Sequence, residues 1–292
     1  MRNGRKRKKD FGGGGFVKTV MQTITFEWCK QFYPKRNRNS HKGTYGSANI
    51  IAGSDKYPGA AVLALESALM SGCGYVKLTS SEKVKYALAV KFPQAIYLEE
   101  PDLNSQCIAV GMGMGVSQEL YDKIKYLLTN YQGTLLIDAD GLNSLSKFGT
   151  DILKQKTCTV ILTPHLKEFS RLTGKSVQEI SKAPQNLAEE FAIKLGVIVL
   201  LKGADSFITD GENTFLNNSG TTALAKGGSG DMLSGFICGT VARGVEPLHA
   251  VCCSAYTMGL SAEISSAQKT DYCATARDVI KNLHIAVKQL TE

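Results

Sequence analysis

From Ser47 onward the chain alternates between short, β-branched apolar runs and longer segments whose apolar residues recur at three- and four-residue spacing. "SANIIAG" (47–53), "GYVKLTS" (74–80), "QAIYLEE" (94–100) and "QCIAVGMG" (106–113) have the make-up of strands. "GAAVLALESALMSG" (59–72), "EKVKYALAVKF" (82–92) and "SQELYDKIKYLLTN" (117–130) carry the helical period. "TLLIDAD" (134–140), "TVILTPH" (159–165) and "VIVLLKG" (197–203) are nearly continuous apolar runs, the pattern of strands covered on both faces. One helical stretch is predicted over residues 176–196 with Gly196 as its C-cap, and the segments after Asp231 read as helices. Such alternation specifies an α/β fold, a largely parallel central sheet between two layers of helices. No composition break and no repeat divides the chain, so residues 21–292 are read as one domain.

Composition changes this picture only at the start. Hydrophobic residues make up 43% of the 292 and charged residues 21%, ordinary values for a folded enzyme and not those of a disordered chain. The formal charge of +8 suggests a nucleic-acid partner until it is located. Arg2, Arg5, Lys6, Arg7, Lys8, Lys9 and Lys18 face Asp10 alone within residues 1–20, which leaves the body close to neutral and without support for a basic groove. Residues 1–20 are therefore read as a basic, Gly-rich, disordered leader, with Met21 near the true start. A tether to an anionic surface or nucleic acid is the lesser alternative, and it predicts salt-sensitive binding that vanishes with the leader. The leader lacks the apolar centre of a secretory signal, and no stretch approaches the ~18 apolar residues of a membrane helix. Cys29, Cys73, Cys107, Cys158, Cys238, Cys252, Cys253 and Cys273 form no C-x-x-C pair, so buried thiols in a reducing cytoplasm are expected.

Unusual residues collect where the predicted strands end, the edge at which open α/β sheets bind ligands. "IIAGSDKYPGA" leaves a strand through Gly53 and enters a helix through Pro58 and Gly59, and "AVGMGMG" leaves another through Gly111, Gly113 and Gly115. "LLIDADGLN" ends in Asp138 and Asp140, "ILTPHLKEF" in Thr163, Pro164, His165 and Glu168, and "LLKGADSFITDG" in Lys202 and Gly203. The densest signal is "AKGGSGDMLSG" (225–235). Glycines ahead of a helix let the backbone come close to a ligand, and the free amides of the first turn favour an anion. Gly227, Gly228, Ser229 and Gly230 would cradle a phosphate, and Asp231 would take a proton from an attacking hydroxyl. The plainer alternative makes Asp231 an N-cap, a common use of aspartate that does not call for three neighbouring glycines. His165 divides between ligand contact and turn residue, and Lys202 between phosphate contact and exposed strand-end charge. "GMGMGVS" matches G-x-G-x-x-G only in part, and no G-x-x-x-x-G-K-[ST] occurs.

"AKGGSGDMLSG" resembles the glycine–aspartate anion hole of the ribokinase-like superfamily. Together with "SHKGTYGSANIIAGSDKYPGAA", "IAVGMGMG", "LLIDADGLN", "VILTPHLKEFSRLTG", "VIVLLKGADSFITDG" and "NNSGTTALAKGGSGDMLSG", it is similar to the ADP/ATP-dependent NAD(P)H-hydrate dehydratase family over about Thr23 to Leu290. The resemblance implies a ribokinase-like three-layer α/β/α sandwich and an enzyme that phosphorylates the ring hydroxyl of hydrated NADH or NADPH (NADHX, NADPHX), so that phosphate leaves and the cofactor is restored. It implies Asp231 as the base and the Gly227–Gly230 amides as the cradle of the transferring phosphate. Lys202, Gly203, Ala204, Asp205, Ser206 and Gly230 would contact the nucleotide, while Ala60, Gly113, His165 and Asp231 would contact the hydrate. Mg2+ would bridge phosphates, its ligands unassigned. "KGGSGD" looks like the bacterial form of the motif, which favours ADP over ATP as donor. A homo-oligomer, with a tetramer as the implied form, and a separate or absent epimerase complete the expectation. Met112, Met114, Leu166, Lys167 and Ser206 depart from the residues most common in the family at those loop positions.

Two other readings compete. A ribokinase-like vitamin or small-molecule kinase shares the glycine–aspartate motif but leaves "HKGTYG", "AGSDKYPGAA" and "TPHLKEF" unaccounted for. A nucleotide sensor or structural oligomer without turnover does not need a base beside its anion hole, and Asp231→Asn separates it from an enzyme.

Overall fold

The computed structural model describes residues 21–292, and the leader inferred for residues 1–20 lies outside them. Ten strands form one sheet: β1 (Met21–Thr23), β2 (Ser47–Ile51), β3 (Tyr75–Thr79), β4 (Ile96–Leu98), β5 (Cys107–Val110), β6 (Thr134–Ile137), β7 (Thr159–Leu162), β8 (Ile198–Leu201), β9 (Ser206–Thr209) and β10 (Thr214–Asn217). Their order is β1-β10-β9-β8-β7-β6-β5-β2-β3-β4, and β9 alone runs against its neighbours. The order reverses between β2 and β5, so the carboxyl ends of these strands open a crevice.

Strand burial alternates as the pleat requires. Ile50, Ala109, Leu136, Ile161 and Leu200 face one layer, while Ile51, Ile108, Val110, Ile137, Leu162 and Val199 face the other. The first layer holds α1 (Phe26–Lys30), α2 (Pro58–Leu69), α3 (Glu82–Lys91), α9 (Ser229–Ala242), α10 (Pro247–Cys273) and α11 (Ala276–Thr291). The second holds α4 (Gln118–Asn130), α5 (Asp140–Phe148), α6 (Leu166–Thr173), α7 (Val177–Lys182) and α8 (Pro184–Leu195). α4 shows why these segments are helical. The Ser117 hydroxyl accepts from Leu120 N at 3.1 Å, and Leu120, Ile124, Leu127 and Leu128 line one buried face. Each such side chain contributes about 1.5–3 kcal/mol of burial.

The single helical stretch expected over 176–196 is corrected to two helices. Pro184 disfavours helical geometry at Ala183, which sits at φ −147°, and α8 restarts with the proline in its first turn. Gly196 ends α8 in the left-handed conformation as expected.

One packing contact sets the position of the site. α9 crosses α2 so closely that a Cβ on Gly235 would lie 2.0 Å from the Ala64 carbonyl oxygen, and one on Gly239 would meet the Ser71 hydroxyl. The helices therefore hold their N-termini side by side at the carboxyl edge of the sheet. No helix among the described residues is long and apolar enough to cross a membrane.

Candidate active site

The glycine run turns the chain from the loop after β10 into α9. Gly228 is the N-cap at φ 94°, where a side chain is strained and a Cβ would lie 2.4 Å from Leu63 Cδ1. Ser229 N donates to Lys226 O at 3.3 Å and Met232 N to Gly228 O at 3.1 Å; the Gly230 and Asp231 amides take part in neither bond. The turn thus presents donors at a helix N-terminus. Asp231 is not the cap that the plainer reading expected. It is the third residue of α9, and no side chain caps this helix.

Asp138, at the end of β6, is 1% exposed. Lys202 Nζ donates to its Oδ1 at 3.0 Å and Ser234 Oγ to its Oδ2 at 2.7 Å. Burial alone would raise this carboxyl, but the Lys202 ammonium and the Ser234 hydroxyl outweigh it and hold the group below the ordinary aspartate value. Lys202 follows β8, where its amide donates to Pro164 O at 2.8 Å, and it reaches beneath Gly230. A Cβ on Gly230 would lie 3.3 Å from the Lys202 ammonium, so the missing side chain leaves room for the pair. Lys202 is therefore not the exposed strand-end charge of the alternative reading.

Asp231 has the opposite surroundings. Burial, the negative charge of Asp138 and, more weakly, that of Asp140 raise its carboxyl to about 6, against the pull of Lys202. Between these carboxylates the chain turns at Ala139, at φ 51° and ψ −117°. Such a conformation costs on the order of 1–3 kcal/mol for a residue other than glycine. It sends Asp138 to one cavity and Asp140 to another. Asp140 Oδ2 accepts from Gly115 N at 2.7 Å, which ties the loop after β5 to the same turn.

His165 caps α6. Its Nδ1 accepts from Lys167 N at 3.0 Å and Glu168 N at 3.2 Å, while its own amide donates to Glu168 Oε2 at 2.9 Å. An accepting Nδ1 places the proton on Nε2, and burial followed by the Lys202 charge lowers the pKa further, so the ring is neutral. His165 is thus both the turn residue and a wall of the cavity.

Two cavities meet at this edge. The first, of 540 Å3, is lined by Asp138, His165, Lys202, Gly203, Ser206 and the whole of Gly227–Asp231. The second, of 710 Å3, lies over the crevice between β2 and β5 and is lined by Lys56, Tyr57, Ala60, Gly113, Asp140 and Asp231. Asp231 is the one described residue that lines both. Ala60 and Gly113 fall together in the second cavity, where a Cβ on Gly113 would strike that of Ala60. His165, grouped with them by the resemblance, lies in the first. Ala204 and Asp205 are exposed in the turn between β8 and β9 and line neither.

Sequence reasoning missed the pairing of Asp138 with Lys202, although the strand-end "DAD" was noted. It also missed Lys226, whose Nζ donates to the carbonyls of Asp271, Tyr272 and Ala274 and so fastens the glycine loop to the end of α10. Nothing in the spacing of that lysine signals this contact. Among the described residues no cluster of three or more His, Cys, Asp or Glu side chains could hold a metal.

A family model described as NAD(P)H-hydrate dehydratase matches residues 48–284. The ADP-dependent (S)-NAD(P)H-hydrate dehydratase of Bacillus subtilis is 34% identical over 269 residues, covering 87% of this chain and 94% of that one. The bifunctional NAD(P)H-hydrate repair enzyme of Thermofilum pendens is 34% identical over 278 residues, and the chain spans only 53% of its length. The crystal structure of the B. subtilis ADP/ATP-dependent NAD(P)H-hydrate dehydratase, co-crystallised with ATP/Mg2+, superposes with a TM-score of 0.83. That match has 32% identity and covers 92% of this chain and 99% of the other.

Proposed function

The chain belongs to the NAD(P)H-hydrate dehydratase family, and from that premise we propose that it dehydrates hydrated NADH and NADPH at the expense of a nucleotide, ADP being the favoured donor. The observation that carries the reading is the single carboxylate shared by two cavities. One cavity has a helix N-terminus, free amides and a braced ammonium, the equipment for a nucleotide's phosphates. The other is larger, lies at the switch point of the sheet and offers Ala60 and Gly113 to a second ligand. A base between them meets the hydroxyl of one ligand and the terminal phosphorus of the other.

The chemistry follows from that placement. Asp231 accepts the proton of the ring hydroxyl as its oxygen bonds to the terminal phosphorus and the bond to the leaving nucleotide oxygen breaks. The amides near Gly230 hold the charge that builds on the transferring group, with Lys202 beneath them. The ring nitrogen's lone pair then expels phosphate, an adjacent carbon loses a proton, and the double bond returns. His165, a wall of the first cavity, would meet the substrate only at its reacting end, and Gly203 and Ser206 would flank the nucleotide.

Bound Mg2+ would shield the phosphate charges. The residues present fit an ion brought in by the nucleotide better than a resident one. Asp138 is committed to Lys202 and Ser234, Asp140 accepts from Gly115, and Glu168 accepts from His165. Family membership is also the ground for proposing a homo-oligomer, with a tetramer as the implied form; light scattering tests it. The small-molecule kinase reading shares the fold, but the matched family does not favour it.

The test is to supply hydrated NADH and Mg2+ with ADP, with ATP or with neither, and to follow the return of dihydronicotinamide absorbance. Recovery that needs a nucleotide is expected, faster with ADP. Absence of recovery with either nucleotide, from folded protein that still binds them, would overturn the proposal.

A further inference from the structure

The two helices that frame the active site also frame a cavity at their other ends. It has a volume of 460 Å3 and is lined by Tyr33, Lys35, Arg36, Met70, Arg243 and Val287, among others. Met70 directly follows α2, and Arg243 directly follows α9. Three lining side chains are cationic, and no described carboxylate joins them.

Each guanidinium group is anchored through one nitrogen. Arg36 stacks 3.9 Å from the centre of the Tyr45 ring and donates from Nη2 to the Gly72 carbonyl oxygen. Gly72 sits at φ +90°, and a Cβ there would strike that nitrogen. Arg243 lies 4.7 Å from the centre of the Tyr33 ring, and its Nη1 donates to Phe32 O at 2.8 Å. Each carbonyl bond uses one of the five N–H donors of its guanidinium. Arg243 Nε and Nη2 are shut off from solvent and have no partner among the described residues. Buried donors are nearly always satisfied, and unpaired ones on a cation most favour an oxyanion.

We propose that this cavity is a second anion site that takes the phosphoryl group of a small molecule, with Met70 and Val287 as apolar wall. A small shift of the Arg243 fork would turn its unpaired donors to the ligand. Arg36 and Lys35, both exposed, would meet it at the mouth. Neither residue lines the catalytic cavities.

Calorimetry with the full chain tests the proposal, ADP and Mg2+ being held at saturation so that the glycine turn is already filled. Inorganic phosphate and glycerol phosphate are titrated separately against sodium chloride of matched ionic strength. Saturable binding is expected, weakened about ten-fold by Arg36→Gln, which removes one charge-assisted contact. The tighter of the two probes identifies the source, free phosphate or a phosphorylated metabolite. Arg243→Gln should abolish binding, but it also removes a packed guanidinium, so the exposed Arg36 supplies the decisive variant. No binding beyond the chloride control, or binding unchanged in Arg36→Gln, would overturn the proposal.

Discussion

Asp138 and Asp231 stand at the same edge of the sheet, share Lys202 as a neighbour, and have opposite properties. Asp138 ends a strand, is fully enclosed, and accepts from an ammonium and a hydroxyl, so it stays ionised. Asp231 stands in the first turn of a helix, lines two cavities, and has its carboxyl raised to about 6. Residue type does not separate a base from a brace; the surroundings do. A carboxylate whose two oxygens accept from an ammonium and a hydroxyl does not pick up a proton at neutral pH. One left unpaired in a poor solvent can.

The comparison is broken most severely at the base. Asp231→Asn should lower kcat by about 10^3-fold, within the usual range for a general base, and leave nucleotide binding nearly intact. Steady-state turnover and a nucleotide titration on one preparation would check both halves. Turnover within a few-fold of the parent would make Asp231 a bystander.

Altering the brace should have a smaller and broader effect. Asp138→Asn leaves the Lys202 ammonium with a neutral partner, for an expected loss of about 2 kcal/mol of stability and roughly 10- to 100-fold in kcat/KM. Denaturant unfolding alongside kinetics would measure it. Unchanged values in both would show that Lys202 does not depend on its partner. Because the Asp138 carboxyl lies below its unfolded value, its contribution to stability is present at neutral pH. Acidification through the folded pKa removes it.

For Asp231 the sign is reversed. Its folded pKa of about 6 exceeds the ordinary 3.8, so folded protein favours the neutral acid, and stability is lost as pH rises through this interval. Asp231→Asn should therefore be more stable than the parent at pH 7, by about 1–3 kcal/mol, while inactive. Thermal unfolding of both proteins at pH 5 and pH 7 tests this, the gap closing at the lower pH. Smallest of the set, Gly230→Ala should weaken nucleotide binding several-fold, since its Cβ would press on Lys202 without straining the backbone. Equal affinities would mean that Lys202 moves freely.

Much of the frame was legible from pattern alone, and the physical reasons for the rest are specific. β2, β5, β6 and β8 are buried throughout and β3 and β7 for the most part, and their boundaries fall within two or three residues of the predicted segments. β1 is three exposed residues, too short to register, and β9 and β10 form a hairpin whose antiparallel sense no local pattern announces. α5 reads poorly because "DGLNSLSKF" mixes glycine, asparagine and serine into a short amphipathic turn. α6 is concealed behind "TPH", since its cap is a histidine working with Glu168. In the site, Asp231 and the glycines were visible because a dense glycine cluster has few other uses. The Asp138–Lys202 pair joins residues 64 positions apart and could not be inferred from spacing. Nor could the separation of His165 from Ala60 and Gly113, which follows from the strand order.

The pH dependence of kcat/KM for hydrated NADH, with saturating ADP and Mg2+, tests the central claim most directly. For the parent protein the account predicts an acid limb with a midpoint near 6, where Asp231 loses its proton. Asp138→Asn should move that limb to lower pH, because a neighbouring negative charge has gone. An acid limb that stays in place in Asp138→Asn, or a parent profile flat through this region, would contradict the assignment of Asp231 as the base.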